Sequence, residues 1–272
     1  MIMPFRSAHW WLIALVVMTV FGFWQNFFSQ MGTDNPRVNV LAHFHTWTAM
    51  AWMVLLIVQS WAIHNKHIDL HRKAGMASLL LFPLLIAGLM AIIDLSASNY
   101  AQFGPNGLSH ALLFQTGIPL LAYLWLYYQA LALRRDVWAH SAHLLAMPFL
   151  LWESPFSRIL AQYVPYFQFE GFSIPGIIAA VQAGMLVAAI LAFGVWMLDR
   201  KHRRPILVVG LLSLLQWALI EITAFEGAVF AVMGALAAIP SWANIAIGFA
   251  IGAVVSLMGW QAGAKRDPAA SS

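Results

Sequence analysis

Cysteine is absent from the 272 residues. That absence excludes a disulfide, a thiolate metal site and covalent attachment of a c-type haem. Charge is nearly as scarce. Only 9% of residues are charged, where soluble domains carry about 25%. Hydrophobic residues make up 62% and the mean hydropathy is +0.77. These proportions leave no material for a second, soluble domain. They place the chain among polytopic membrane proteins, with the lipid bilayer as its first partner. The net charge of +4 does not point to nucleic acid, because the basic residues fall in short loops between apolar runs. Low-complexity sequence and internal repeats are also missing, apart from a polar tail at 265–272.

What is present is a series of apolar runs of spanning length. Eight are expected, over residues 9–29, 40–63, 73–95, 109–133, 139–161, 174–198, 205–225 and 241–263. The fold class is therefore all-α, a single transmembrane bundle over 1–264 with a polar cytoplasmic tail after it. Helix punctuation supports several starts: Pro205 in a first turn, Ser241 after Pro240, and Ser173 before Ile174 and Pro175. The first run follows Arg6 and lacks a small-residue cleavage site, so it reads as a retained helix and not a signal peptide. The stretch from Gly227 to Ile239 is apolar but short, an extension of the seventh helix or a re-entrant or interfacial piece. Pro83, Pro119 and Pro148 could kink three of the spans.

Charge gives an orientation. With the N-terminus in the cytoplasm, twelve of the fourteen basic residues fall on the inner side, and only Arg37 and Arg158 fall outside. That asymmetry is a positive-inside pattern for the inner (plasma) membrane, with both termini cytoplasmic. An odd number of spans would scramble it. Trp10, Trp61, Trp138, Trp196 and Trp260 then line the inner interface, with Trp24, Trp47 and Trp242 at the outer.

The stretch from Ala42 to Gly75 concentrates the chemistry. It has no charged residue between Phe44 and Ile63 and histidines at both ends. His43 and His64 are 21 residues apart, roughly 32 Å along a helix. The histidines sort into an outer group, His43, His45 and His110, and an inner group, His64, His67, His71, His140 and His143. If the second helix continued past Ile63, His64, His67 and His71 would share one face within about 60°. His43 and His45 point about 160° apart, so one at most faces the bundle easily. Asp94, Glu153, Glu221 and Glu226 fall in the outer half. Ionisable groups at membrane depth are costly and mark sites by default. Glu153 is also explained by a buried pair with Arg158, and the inner histidines by simple interfacial polarity. Glu221 is expected to face inward, since Trp217, Leu219, Ile220 and Ile222 around it are apolar.

Neutral imidazole ligates haem iron, copper, zinc and non-haem iron. Three functions follow. The first is a redox protein, a membrane oxidoreductase holding haem b with His71 and His140 or His143 on one side and His43 or His45 with His110 on the other. The second is a non-haem iron, zinc or copper enzyme using His43, His45, His110 and Glu153, with Glu221 as a further catalytic acid. Its substrate would be a quinone or another lipid-soluble molecule. The third is a proton-coupled transporter in which Glu153, Glu221 and the histidines relay protons. No lysine lies in the seventh run, and there is no phosphate loop, HExxH or nucleophile elbow. Gly194, Gly248 and Gly252 read as close helix contacts.

Gln59, the run Leu70-His71-Arg72-Lys73-Ala74-Gly75, His140-x-x-His143 and Pro155-x-x-Arg158 resemble a pattern in a broad group of bacterial multi-helix membrane proteins. That resemblance covers roughly residues 40–160 and implies a membrane fold without an established activity. In general plan the chain is similar to cytochrome b561-type proteins, whose histidine pairs toward both faces hold two b haems. It departs from them in having no stacked histidine pair of the required spacing within one expected helix.

Overall fold

The computed structural model describes residues 5–31, 33, 39–168 and 174–265. Arg37, Ser173 and the tail after Lys265 lie outside these. Within them every regular element is helical: α1 (Ala8–Gly22), α2 (Val40–His64), α3 (Ile68–Phe103), α4 (Gly107–Ala132), α5 (Val137–Tyr163), α6 (Ile174–Leu198), α7 (Arg204–Glu221), α8 (Glu226–Ala237) and α9 (Ser241–Lys265). Six of them, α2, α3, α4, α6, α7 and α9, are long and apolar enough to cross a membrane.

The remaining three, α1, α5 and α8, fall short of that in length or hydropathy. α5 has 27 residues, but His140, His143, Glu153 and Arg158 dilute its hydropathy. α1 stops at Gly22, where the chain breaks into turns before a short 3₁₀ turn at Phe28–Gln30. Gly22 packs directly on the backbone of Pro155, so a helix with a side chain there could not approach α5. The first helix is thus 15 residues, about 22 Å at helical rise, and not the expected run to residue 29. The stretch 227–239 forms a separate short helix, α8. It packs against α3 and α4, with Tyr100 and Phe230 stacked at 5.5 Å.

α2 does not continue past His64. Asn65 caps it, and Lys66 takes a left-handed conformation (φ 63°) that turns the chain into α3. His71 therefore belongs to α3, and the shared face expected of His64, His67 and His71 does not form. α3 starts earlier than expected and runs for 36 residues, straight through Pro83.

α3, α4 and α5 form the centre, and α4 meets both of the others as well as α6, α7, α8 and α9. α3 packs on α2, α4, α8 and α9, and α5 on α1, α4, α6 and α7. In a bilayer the apolar effect cannot drive helices together, so close backbone approach and interhelical hydrogen bonds must. The α9 face shows how. Asn244, Gly248, Gly252, Ser256, Gly259 and Gly263 are its buried residues, one per turn. A Cβ at Gly252 would lie 2.7 Å from the Pro83 Cα, and one at Gly248 2.6 Å from Met90. Both read as close contacts and are. Gly194 is not: nothing lies within 4 Å of its Cβ position. The core between α2, α3 and α4 is an aromatic triad. Phe82 stacks on Tyr127 at 3.9 Å, Trp52 meets both, and the Tyr127 hydroxyl is 2.8 Å from Ser78 Oγ.

Candidate functional site

Contacts at one end of the bundle tie together the helix ends that carry the basic residues. Arg134, after α4, donates to the Trp260 carbonyl of α9 at 2.7 Å and lies over the Trp260 ring. Trp138, at the start of α5, stacks at 4.4 Å on His202 before α7. Arg203 sits over Phe5, before α1. Phe5 and Trp138 are ring neighbours.

The histidines at this basic end share a pattern. His71 Nδ1 lies 3.3 Å from the Gln59 carbonyl of α2, and His140 Nδ1 2.8 Å from the Ala130 carbonyl of α4. His143 Nδ1 is 2.7 Å from the Ala139 carbonyl, with its ring edge-on to Trp125. A carbonyl can only accept, so each Nδ1 carries the proton and each Nε2 presents a lone pair. No described residue bonds those three Nε2 atoms. His140 lies within electrostatic reach of both His71 and His143. His64 Nδ1 bonds the Ser60 carbonyl, and exposed His67 stacks on Trp61 at 5.0 Å.

The opposite end does not gather its expected ligands. His43 packs on Phe27 at 4.8 Å. His45 lies against Gly88 of α3, its Nδ1 sealed without a partner. His110, 3% exposed, turns to α7 and bonds the Leu219 carbonyl at 3.1 Å through Nε2, leaving Nδ1 sealed. Among the described residues no three His, Asp or Glu side chains converge as a metal would need. Glu221 is exposed at the end of α7, where it accepts a hydrogen bond from Gln182 of α6. The inward position expected for it is not taken, because α7 ends at that residue and its acid faces outward past Ile220.

Glu153 is different. It is 6% exposed in the middle of α5. Gln115 of α4 donates to its Oε2 at 2.7 Å, while Oε1 is sealed and has no donor among the described residues. Gly184 of α6 lies against its Cγ and backbone, so any larger residue there would displace it. Gln216 of α7 donates to the Phe114 and Gln115 carbonyls, both at 3.2 Å, and pins the turn that carries Gln115. The expected pair with Arg158 is not formed within ion-pair distance, although the two groups lie within electrostatic reach of each other. Arg158 extends over the Phe23 ring at 5.7 Å instead.

A second buried acid, Asp94 of α3, accepts from Asn244 of α9 at 2.6 Å. The amides Gln59, Gln115, Gln216 and Asn244 organise these polar points, yet carry no charge to mark them in the sequence. Their signal was an amide inside an otherwise apolar run, which places an unsatisfied donor in the membrane unless a partner is found.

Two cavities open near the basic end. One of about 500 Å³ lies among α1, α5, α6 and the start of α7. The other, about 360 Å³, lies between α1 and α2 beside His9 and His64. Neither is lined by His71, His140 or Glu153. Comparisons with protein-family models, with curated proteins and with solved structures give no match.

Proposed function

We propose that this is a multi-pass protein of the inner (plasma) membrane with eight spans and both termini cytoplasmic, which couples proton binding at Glu153 to transport. The span count rests on the six long apolar helices, on α5 at the centre of its neighbours, and on α1 as a short eighth. The sidedness rests on the basic residues gathered at one end.

The observation that carries the proton reading is the half-satisfied carboxyl of Glu153. One oxygen takes the Gln115 amide, and the other is sealed without a hydrogen bond of its own, with Ser157 and Arg158 beside the carboxyl. A carboxyl group buried between helices and outside ion-pair distance of Arg158 can take up and release a proton, where a directly paired one would be held as the anion. α4, α5 and α7 each contribute an amide or acid to this region, Gln115, Glu153 and Gln216, while α6 brings Gly184 against Glu153. Pro119, Pro148 and Pro155 interrupt backbone bonding in α4 and α5, giving those helices freedom to adjust. Infrared difference spectra of purified protein, taken between two pH values, test the assignment. A protonated-carboxyl band lost in Glu153→Gln supports it. A band unchanged in that variant removes Glu153 from the mechanism.

The imidazoles favour a second reading, a redox protein holding haem b. His71, His140 and His143 have their tautomers fixed by carbonyls, which is the outer-shell arrangement of ligating histidine. A porphyrin supplies four ligands and asks one or two imidazoles of the protein, whereas a protein-only site needs three or four. Among the metal readings the donors therefore fit haem better than the His43, His45, His110 and Glu153 set. Neither cavity is lined by these rings, so His71, His140 and His143 would hold the group through their Nε2 atoms outside both. Bound there it would supply one-electron chemistry, and the chain would supply Nε2 of His71 or His140. An absorption spectrum of haem-supplemented, detergent-purified protein decides this: a Soret band that shifts in His71→Ala supports it, and no Soret band ends it.

A further inference from the structure

The cavity of about 500 Å³ is a candidate site that neither reading above uses. Its wall is apolar and aromatic, built by Trp11 of α1, Phe149 and Trp152 of α5, Leu191 of α6 and Ile206 of α7. Leu191 is 37% exposed, so the slot opens toward the lipid-facing surface. Two arginines, Arg6 and Arg203, line the same space, and no acidic residue does.

Arg203 forms no ion pair among the described residues, with Asp199 within electrostatic reach but bonded to His202. One guanidinium nitrogen donates to the Val195 carbonyl at 3.1 Å, the plane lies over Phe5, and Nε is sealed without an acceptor. Trp152 Nε1 is likewise buried without an acceptor. The nearest acid in sequence, Asp199, is taken by His202 at 2.9 Å. A cavity with greasy walls, two arginines and no carboxylate in its described lining complements an amphiphile whose head is an anion. Arginine in particular suits a phosphate, which accepts its planar fork.

We propose that this slot binds an anionic phospholipid from the membrane leaflet at the basic end, with its phosphate on Arg203 and Arg6 and an acyl chain along Trp11, Phe149 and Trp152. A bilayer presents such a molecule directly to an opening on the lipid-facing side. The bound lipid would fill the gap that a 15-residue α1 leaves against α5 and α7.

The test uses the full-length protein in detergent, titrated with phosphatidylglycerol or phosphatidylcholine and read by native mass spectrometry. Phosphatidylglycerol is expected to bind the more tightly. Arg6→Gln and Arg203→Gln should each weaken it roughly fivefold, the effect of one basic residue near an anionic lipid. Leu191→Trp, which fills the slot without changing charge, should weaken both lipids. Arg204→Gln, outside the cavity, should leave binding unchanged. Equal binding of the two lipids, or equal losses in Arg204→Gln and Arg203→Gln, overturns the proposal in favour of general attraction to a basic surface. Arg6 is exposed, so its variant keeps the test decisive if Arg203→Gln does not fold.

Discussion

Asn244 of α9 reaches across to Asp94 of α3 and donates to it at 2.6 Å, with both residues almost wholly enclosed. The same amide also bonds the Leu236 carbonyl at the end of α8, so one side chain joins three helices. Replacing it strands the acid. Asn244→Ala should lower stability by about 1–3 kcal/mol, the penalty for leaving a buried polar group unpaired. Asp94→Leu combined with Asn244→Leu should cost less than the two single losses added, because both partners are then removed together. Thermal unfolding in detergent checks both. Strict additivity would show that the two side chains are energetically independent.

The α9 stripe makes a contrast between glycines. Gly252→Val should push α9 from Pro83 and cost roughly 1–3 kcal/mol, the usual range for overpacking. Gly194→Ala meets open space within a helix and should stabilise by up to about 1 kcal/mol. The same unfolding assay reads both. A destabilised Gly194→Ala would place an unseen neighbour there.

At the turn between α2 and α3, Lys66 has φ 63° without being a glycine. The left-handed conformation costs a side-chain-bearing residue about 1–2 kcal/mol, so Lys66→Gly should recover part of that. Gly pays some of it back in chain entropy, which makes a net gain below about 1 kcal/mol the expected result. A loss of stability would show that the lysine side chain itself holds the turn.

Asp199 and His202 make the acid limb testable. The His202 ring, bonded to the Asp199 carboxyl, holds that acid below the usual carboxylate range. A lowered value in the folded state means the contribution is complete above pH ~4 and disappears as pH falls through the folded value. The melting temperature of the wild type should therefore drop more steeply below pH ~4 than that of Asp199→Asn. The difference should shrink in high salt, as the pair is exposed. Parallel curves would remove the pair from the account.

The spans were legible because an apolar run of spanning length has few other fates, and α2, α4, α6, α7 and α9 fall close to where hydropathy puts them. Ends were harder. The polar His64-Asn65-Lys66 sequence could belong to a longer helix or to a turn, and only the left-handed Lys66 decides it. Gly22, the last residue of α1, meets its tight neighbour on another helix, at Pro155. The site was partly legible. Glu153 stands out as an acid in a greasy run, yet its partner Gln115 has no charge and sits 38 residues away. The histidines drew attention equally, but rotation about each helix separates them. His110 turns to α7, while His43 turns to Phe27. That rotation is a packing outcome, set by which small residues let which helices meet.

α3 is about 54 Å long at helical rise, against a hydrocarbon layer of about 30 Å. Past Asp94 its sequence changes to Ser96, Ser98, Asn99 and Gln102, while Ala97 and Tyr100 keep an apolar edge for α8 to shelter. Among the described residues the molecule thus carries a long helix end buttressed by α8 on one face and short turns on the other, so its two sides offer very different handholds to whatever approaches from water.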